Sequence, residues 1–331
     1  MKRILIIVSI IFLMVFSISA DVKFKGLMQN WFSIADDSID ETNSFYGFSN
    51  KRIRFAPYGK LGEKITWGVQ FAFDKFSTPT VLDVFMNYAI SGQFNLKVGK
   101  FAPPGSIGAA LTSSGKLDAI ERAPIVMAWG ANSGLHGYRA FGAQLSGKMM
   151  EGKLYYALML ANSQTSEHNW LPSVKTVTTT ANTHNGTGLW GRLEASPMRG
   201  LRFGGFFGKS TEEDNNSVKL ERSSYGAHLF YVKNKFNLKV EYISGETGNI
   251  KYNGMYLVAG YRINKIEPVL SYSFYVPFED GEKLSNITAG INIFYKKNIK
   301  FQVNYVLKDE ENSDIKNNIF YANFQYSFNS K

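Results

Sequence analysis

The fold is decided by the stretch FYKKNIKFQVNYVLKD, residues 294–309, in which a Lys-Lys-Asn turn precedes alternating apolar and polar side chains. The apolar positions are Ile299, Phe301, Val303, Tyr305 and Leu307. The polar residues between them include Lys300, Gln302 and Asn304. Because successive side chains of a strand point to opposite faces, the pattern predicts a strand with one apolar and one polar face.

The same unit recurs along the chain as two alternating strands of ten to fourteen residues joined by a turn of two or three residues. The short turns are at 61–63, 91–93, 150–152, 197–199, 233–235, 264–265 and 296–298. These seven hairpins, together with the alternating segments 22–34 and 319–328, predict sixteen strands.

Longer polar stretches lie between the hairpins. They cover roughly 37–45, 74–80, 102–136, 163–183, 210–217, 245–250, 277–283 and 309–315. Short turns and long loops therefore alternate, which places all turns at one end of a closed meander and all loops at the other.

A soluble sandwich would also have alternating strands. These strands, however, are about twice as long as the five or six residues of an average globular strand, and their polar faces carry Lys, Arg, Gln, Asn and Glu. The pattern favours an all-β fold, a 16-stranded antiparallel transmembrane β-barrel with the apolar faces toward lipid and the polar faces toward a water-filled lumen.

The N-terminus has the features of an export signal. Lys2 and Arg3 precede an apolar run at 4–16, and small residues end at Ala20. The run is too short for a membrane-spanning helix, so residues 1–20 are predicted to be a signal peptide and 21–331 a single barrel. The chain has no cysteine, which excludes disulfides.

Without Lys2 and Arg3, 35 basic and 27 acidic residues give a net charge of +8. The side chains on the polar faces are mostly basic. They are Lys23, Lys25, Arg52, Arg54, Lys64, Lys97, Arg192, Arg202, Arg222, Lys239 and Lys300, with the acidic residues Asp83, Glu194, Glu241 and Glu267. Such an excess predicts a preference for anions, unless neighbouring pairs such as Arg192 and Glu194 neutralise it.

The stretch 102–136 mixes small residues with an apolar, helix-compatible part. We expect this third loop to fold into the lumen and narrow it; the alternative is an external, disordered loop. The next long loop along the chain, 163–183, carries no comparable apolar part.

Signals for catalysis are weak. Ser113 and Lys116 match S-x-x-K, but the companion motifs are missing. The four histidines have no metal-ligand spacing, and no glycine-rich phosphate loop is present. We expect no enzyme activity, no cofactor, no metal and no nucleic-acid partner. The alternative function, a barrel enzyme such as a lipase, would need a Ser-His pair on the lipid face.

Three stretches carry a family resemblance: LKVGKFAPP from Leu96, LTSSGKLDAIERA from Leu111 and GYRAFGAQLSGK from Gly137. In this order and spacing they resemble the phosphate-selective porin O/P family of outer-membrane proteins. The resemblance implies a barrel that is usually trimeric, with an inward third loop and basic residues guiding phosphate. It also implies that the constriction loop holds Glu121 and Arg122, with Lys116 in the same block.

The resemblance also assigns Arg139 to the start of the next strand, although parity puts it on the outward face, so we expect it at the rim or next to a bulge. Ser271 stands where the family often has an arginine, and the residues after Phe328 are Asn-Ser-Lys. The predicted function is an outer-membrane porin for passive diffusion of small hydrophilic solutes, with an anion and possible phosphate preference. The alternative is a non-conducting structural or adhesive barrel that binds ligands through its loops.

Overall fold

The structure is a computed structural model that describes residues 21–35, 45–74, 79–135, 138–162, 186–213, 219–279, 281–310 and 317–330. The predicted signal peptide, residues 1–20, and the whole of the predicted loop 163–183 lie outside the described residues. Within the described ranges, no helix is long and apolar enough to cross a membrane.

Sixteen antiparallel strands form one closed barrel, in which each strand pairs with its neighbours in sequence and β1 pairs with β16. The strands are β1 (Asp21–Ala35), β2 (Phe45–Leu61), β3 (Ile65–Ala72), β4 (Thr80–Ala89), β5 (Asn95–Phe101), β6 (Ala140–Met149), β7 (Leu154–Asn162), β8 (Thr187–Ala195), β9 (Leu201–Glu213), β10 (Lys219–Lys233), β11 (Phe236–Thr247), β12 (Ile250–Tyr261), β13 (Ile266–Val276), β14 (Leu284–Lys296), β15 (Ile299–Glu310) and β16 (Ile319–Asn329). The predicted strand number and closure are confirmed.

The side-chain faces of β15 follow the predicted parity. Phe301 and Val303 are 40% and 41% exposed on the outside, whereas Gln302 and Asn304 are each 1% exposed inside. Apolar side chains facing outward and amides facing inward are the arrangement that a bilayer requires.

Two predicted boundaries are wrong. The stretch 245–250 is not a long loop, because β11 continues to Thr247 and β12 begins at Ile250, leaving a two-residue turn in which Gly248 has a φ of +60°. Similarly, β9 extends to Glu213, so the loop predicted at 210–217 is shorter. Strands can continue to pair where their side chains are polar, near the membrane surface. A prediction based on alternating hydrophobicity alone therefore ends these strands too early.

Residues 102–139 between β5 and β6, here called loop 3, contain three of the described helical segments. They are a π-helical turn at Ile107–Leu111, a 3₁₀ turn at Ser114–Lys116 and α1 at Pro124–Asn132. A further 3₁₀ turn, Met150–Gly152, joins β6 to β7. Proline at the first helical position and the apolar run behind it favour α1. The helix ends before Gly134, whose φ is +67°.

Candidate functional site: the lumen and its constriction

Loop 3 is anchored to the inner wall at Glu241, whose exposed fraction is zero. The backbone N–H groups of Ile107 and Gly108 donate to its two carboxylate oxygens at 2.7 and 2.9 Å. The Ser106 hydroxyl lies 3.1 Å from the second of these oxygens. A buried carboxylate needs several donors to offset its desolvation, and the first turn of loop 3 supplies them.

The helix α1 fills one side of the lumen with apolar side chains. Trp129 is fully buried, packs edge-on against Trp190 of β8 and Phe206 of β9, and donates from its indole N–H to Ser224. Burying an aromatic side chain of this size contributes ~4–6 kcal/mol. The expectation of a polar, water-filled interior is therefore wrong for the part of the wall that α1 covers, because inward-facing apolar residues of β5 to β9 and β11 to β13 form a dry core with α1.

A row of amide side chains holds the middle of loop 3 on the opposite side. Gln325 donates to the carbonyl of Gly115 at 3.1 Å, and Asn292 and Gln302 donate to the carbonyl of Asp118 at 2.9 and 3.2 Å. The predicted pore-lining residues Lys239 and Lys300 also belong here. Lys239 is ion-paired with Asp118, and Lys300 donates to the carbonyl of Leu117 at 3.0 Å. Both lysines hold the loop in place.

Glu121 connects loop 3 to β2. Its oxygens lie 2.8 Å from the guanidinium of Arg52 and 3.2 Å from Nζ of Lys51. Burial opposes ionisation of Glu121, but Arg52, Lys51 and the backbone N–H of Arg122 outweigh it and hold the pKa of this carboxyl below its ordinary value. The family resemblance places Glu121 in the constriction loop, and its side chain does lie where loop 3 meets the wall. Its effect on transport stays a prediction.

Lys51 is a residue that parity does not identify. The β1–β2 register shifts at Gln29 and Asn30, so β2 has an extra residue there and both Lys51 and Arg52 reach Glu121. A bulge has no strong sequence signal, so strict alternation of side chains along β2 does not predict that Lys51 reaches the lumen.

Arg122 stabilises the bend of loop 3. Its guanidinium donates to the carbonyls of Gly108 and Thr112 at 2.9 and 2.7 Å. The carbonyls that it engages are 10 and 14 residues earlier in the chain, so a single side chain cross-links the two limbs of the loop. Lys116, the third predicted residue of this loop, is exposed.

Arg139 lies inside the barrel next to a bulge, as one of the two expectations had it, and not at the rim: its partners Gln70 and Asp83 are at the register shift between β3 and β4. Its guanidinium is 3.1 Å from Asp83 of β4 and 3.2 Å from Gln70 of β3. Tyr138 immediately before it has a φ of +63°, so the chain enters β6 with a backbone turn and strand parity does not extend back to Arg139.

The cations of this region form one group, which we call the basic cluster: Lys25, Lys51, Arg52, Arg54, Lys97, Arg122 and Arg139. Arg54 is ion-paired with Asp74 at 2.6 Å and is close enough to Arg52, Arg122 and Arg139 for repulsion. Lys97 is likewise close enough to Arg139 and Lys25 for electrostatic repulsion. With the three carboxylates Asp74, Asp83 and Glu121, the seven cations give the region a net charge of +4.

The remaining predicted positions are separate from the basic cluster. Glu194 accepts from Arg192 at 2.8 Å, lies 3.7 Å from Arg202 and is 3.1 Å from Nε2 of His228. Arg192 and Glu194 neutralise each other, as the sequence allowed, and Arg202 leaves the two arginines and one carboxylate with a net charge of +1. Arg222 lies farther along β10 and is partly buried.

Lys64 is predicted on the wall, but it belongs to the turn before β3, which begins at Ile65, and it is exposed. Parity applied one residue beyond the strand produces this error. Among the residues that the structure describes, no group of three or more His, Asp or Glu side chains is arranged to hold a metal ion.

Comparison with known proteins agrees with this architecture. The model of the family "Phosphate-selective porin O and P" matches residues 22–200. No individually curated protein sequence matches the chain.

Solved structures share the fold. The outer membrane channel DcaP of Acinetobacter baumannii has a TM-score of 0.68 at 9% identity, over 94% of this chain and 98% of its own. The trimer form of OmpT of Vibrio cholerae has a TM-score of 0.66 at 10% identity, over 93% and 99%. OmpF of Salmonella typhi in complex with daunomycin has a TM-score of 0.61 at 16% identity, over 93% and 97%. At these identities the likeness shows the fold alone.

The family match, by contrast, spans more than half of the chain and includes loop 3 and the basic cluster. The chain therefore belongs to the phosphate-selective porin O and P family, and the protein is an outer-membrane porin.

Proposed function

We propose that the protein is a passive pore for small hydrophilic solutes that prefers anions, inorganic phosphate among them. The basic cluster is the observation that supports this proposal. Its net charge of +4 lies where loop 3 meets the wall of β1 to β5, and Lys97 reaches Phe101 at the edge of the dry core. Cations at a constriction lower the energy of a passing anion and raise that of a cation.

The proposal includes the cellular setting. It takes the chain to be exported by the predicted signal peptide, with its apolar outer face in contact with outer-membrane lipid and assembly as a homotrimer. The family match supports the outer-membrane setting, and the trimeric form of the Vibrio cholerae neighbour supports the homotrimer. The absence of enzyme activity and of a cofactor stays a prediction.

One observation favours the alternative of a non-conducting structural or adhesive barrel. The dry core that α1 forms with the wall from β5 to β13 removes part of the lumen from water. Ion conductance of the purified protein in planar bilayers distinguishes the two functions, because a closed barrel would give no current.

The selectivity test neutralises Arg54, Lys97 and Arg139 together with glutamine. At about 8 Å from a permeating ion each charge contributes ~0.5 kcal/mol in water. Screening at 0.1 M salt roughly halves this value, so three charges contribute ~0.7 kcal/mol, with opposite signs for anion and cation. The ratio of anion to cation permeability should therefore fall ~10-fold, since 1.4 kcal/mol is a factor of ten.

The matched control replaces Lys209, Lys219 and Lys251, which are exposed on the outside of the barrel, with glutamine. It removes the same net charge but should leave the zero-current potential in a KCl gradient unchanged. Equal potentials for the triple cluster variant and the wild type would refute the role of the cluster.

A further inference from the structure

The wall of β13 to β16 carries neutral hydrogen-bonding side chains beside Arg122, a member of the basic cluster. These are Ser271 and Ser273 of β13, Asn286 and Thr288 of β14 and Tyr321 of β16, here called the neutral patch. All five line one cavity of about 200 Å³ that is open to the channel.

Strand register arranges the patch as a compact array. Ser271 is paired with Thr288 and Ser273 with Asn286 across β13 and β14. Tyr321 is paired with Asn304, whose amide oxygen accepts from the backbone N–H of Ile120 at 2.6 Å and so holds loop 3 beside the patch. Directly paired side chains are ~5 Å apart, so the hydroxyl and amide groups are spaced to contact several polar groups of one small solute.

The facing side of the cavity is mostly apolar. Loop 3 contributes Ala119, Ala123, Pro124 and Met127 there. A cavity with hydrogen-bonding groups on one side and apolar surface on the other matches a molecule with a polar edge and an apolar face.

The charged side chains that line the cavity already have partners in the protein. Glu121 is bound by Lys51 and Arg52, and the guanidinium of Arg122 donates to loop carbonyls. The hydroxyl groups of Ser271, Ser273 and Thr288 can each donate and accept a hydrogen bond, which suits a neutral solute with several hydroxyl groups.

We infer that this cavity is a binding site for an uncharged polyhydroxylated solute of about the size of a monosaccharide. Ring hydroxyls would bond to the neutral patch, and the C–H face of the ring would pack on Met127 and Pro124. The inference rests on the proposed function in one respect only, namely that the lumen conducts and gives solutes access to the cavity. It adds a second solute class next to the anions of the basic cluster.

The experiment measures KCl conductance through the protein in planar bilayers at increasing D-glucose concentrations. An occupied site narrows the channel, so the conductance of the wild type should fall along a saturating curve, below the linear decrease that bulk viscosity causes. Polyethylene glycol of similar size, which lacks the ring of hydroxyl groups, serves as the reference and should give the linear decrease alone.

The test variant removes three hydroxyls as Ser271→Ala, Ser273→Ala and Thr288→Val. Each lost hydrogen bond contributes ~0.5–1.5 kcal/mol, so the half-blocking glucose concentration should rise at least ~10-fold. The control variant Thr211→Val with Ser223→Ala removes hydroxyls from outward positions of β9 and β10 and should match the wild type.

A linear glucose response of the wild type, equal to that of the polymer, would overturn the inference, as would an unchanged half-blocking concentration in the triple variant. If that variant fails to fold, the comparison of glucose with the polymer on the wild type decides alone. Anion selectivity is measured in salt without sugar, so a failure of the sugar site and a failure of the proposed pore function give different results.

Discussion

Replacing Glu241 with alanine should release the start of loop 3 from the wall. The side chain accepts from two backbone N–H groups and one hydroxyl, all in a fully buried position. A buried N–H that loses its acceptor costs ~1–3 kcal/mol, so two of them favour the detached loop by ~2–6 kcal/mol. Even ~2 kcal/mol raises the detached population ~30-fold.

Single-channel recording is the appropriate assay, because a detached loop widens the constriction while it stays away from the wall. The alanine variant should show brief transitions to higher conductance that the wild type shows far less often. Glu241→Gln keeps one acceptor oxygen and should give an intermediate frequency.

Glu246→Ala is the matched control, since Glu246 is on the same strand with the opposite parity. An alanine variant at 241 with the open-channel current and fluctuations of the wild type would refute the anchoring role of this carboxylate.

Three further predictions concern the route, the charge and the packing. Since the chain has no cysteine, Arg54→Cys should react with a charged thiol reagent and change the current, whereas Phe55→Cys on the outward face should not; equal responses would contradict the assignment of faces. Glu121→Gln should raise the anion preference at pH 7. Because the pKa of Glu121 in the folded protein is lowered, its carboxylate stays charged until the pH falls below the ordinary glutamate pKa of about 4.3, and only there should the wild type approach the selectivity of the variant. Equal selectivity of the two proteins already at pH 6 would count against this. Trp129→Ala should lower the thermal stability of the barrel by ~3–5 kcal/mol, and an unchanged melting temperature would show that α1 does not depend on this contact.

The overall fold was accessible from sequence because a membrane barrel repeats one simple rule. Strict alternation and the sequence of short turns and long loops predict the number, order and faces of the strands, and β15 follows that rule at Phe301 and Gln302. The rule fails where the backbone departs from regular pairing. The bulge at Lys51 and the positive φ of Tyr138 each change which side chain reaches the lumen, and neither has a distinct local signal.

Loop 3 was predictable in its existence and composition, but its partners were not. Glu241 carries inward parity, yet its pairing with Ser106 requires a contact 135 residues apart in sequence. The inward apolar residues Trp190 and Ile243, which the sequence analysis did not single out, depart from the alternation of a polar lumen, and they lie on the wall that α1 covers. Exceptions to alternation therefore carry as much information about the site as the alternation itself.

The zero-current potential of the wild-type protein across a KCl gradient tests the central claim most directly, because it requires both an open lumen and a field from the basic cluster. The predicted result is a measurable conductance and a zero-current potential that lies between zero and the equilibrium potential of chloride. A protein that inserts without conducting, or a potential on the potassium side, would contradict the account.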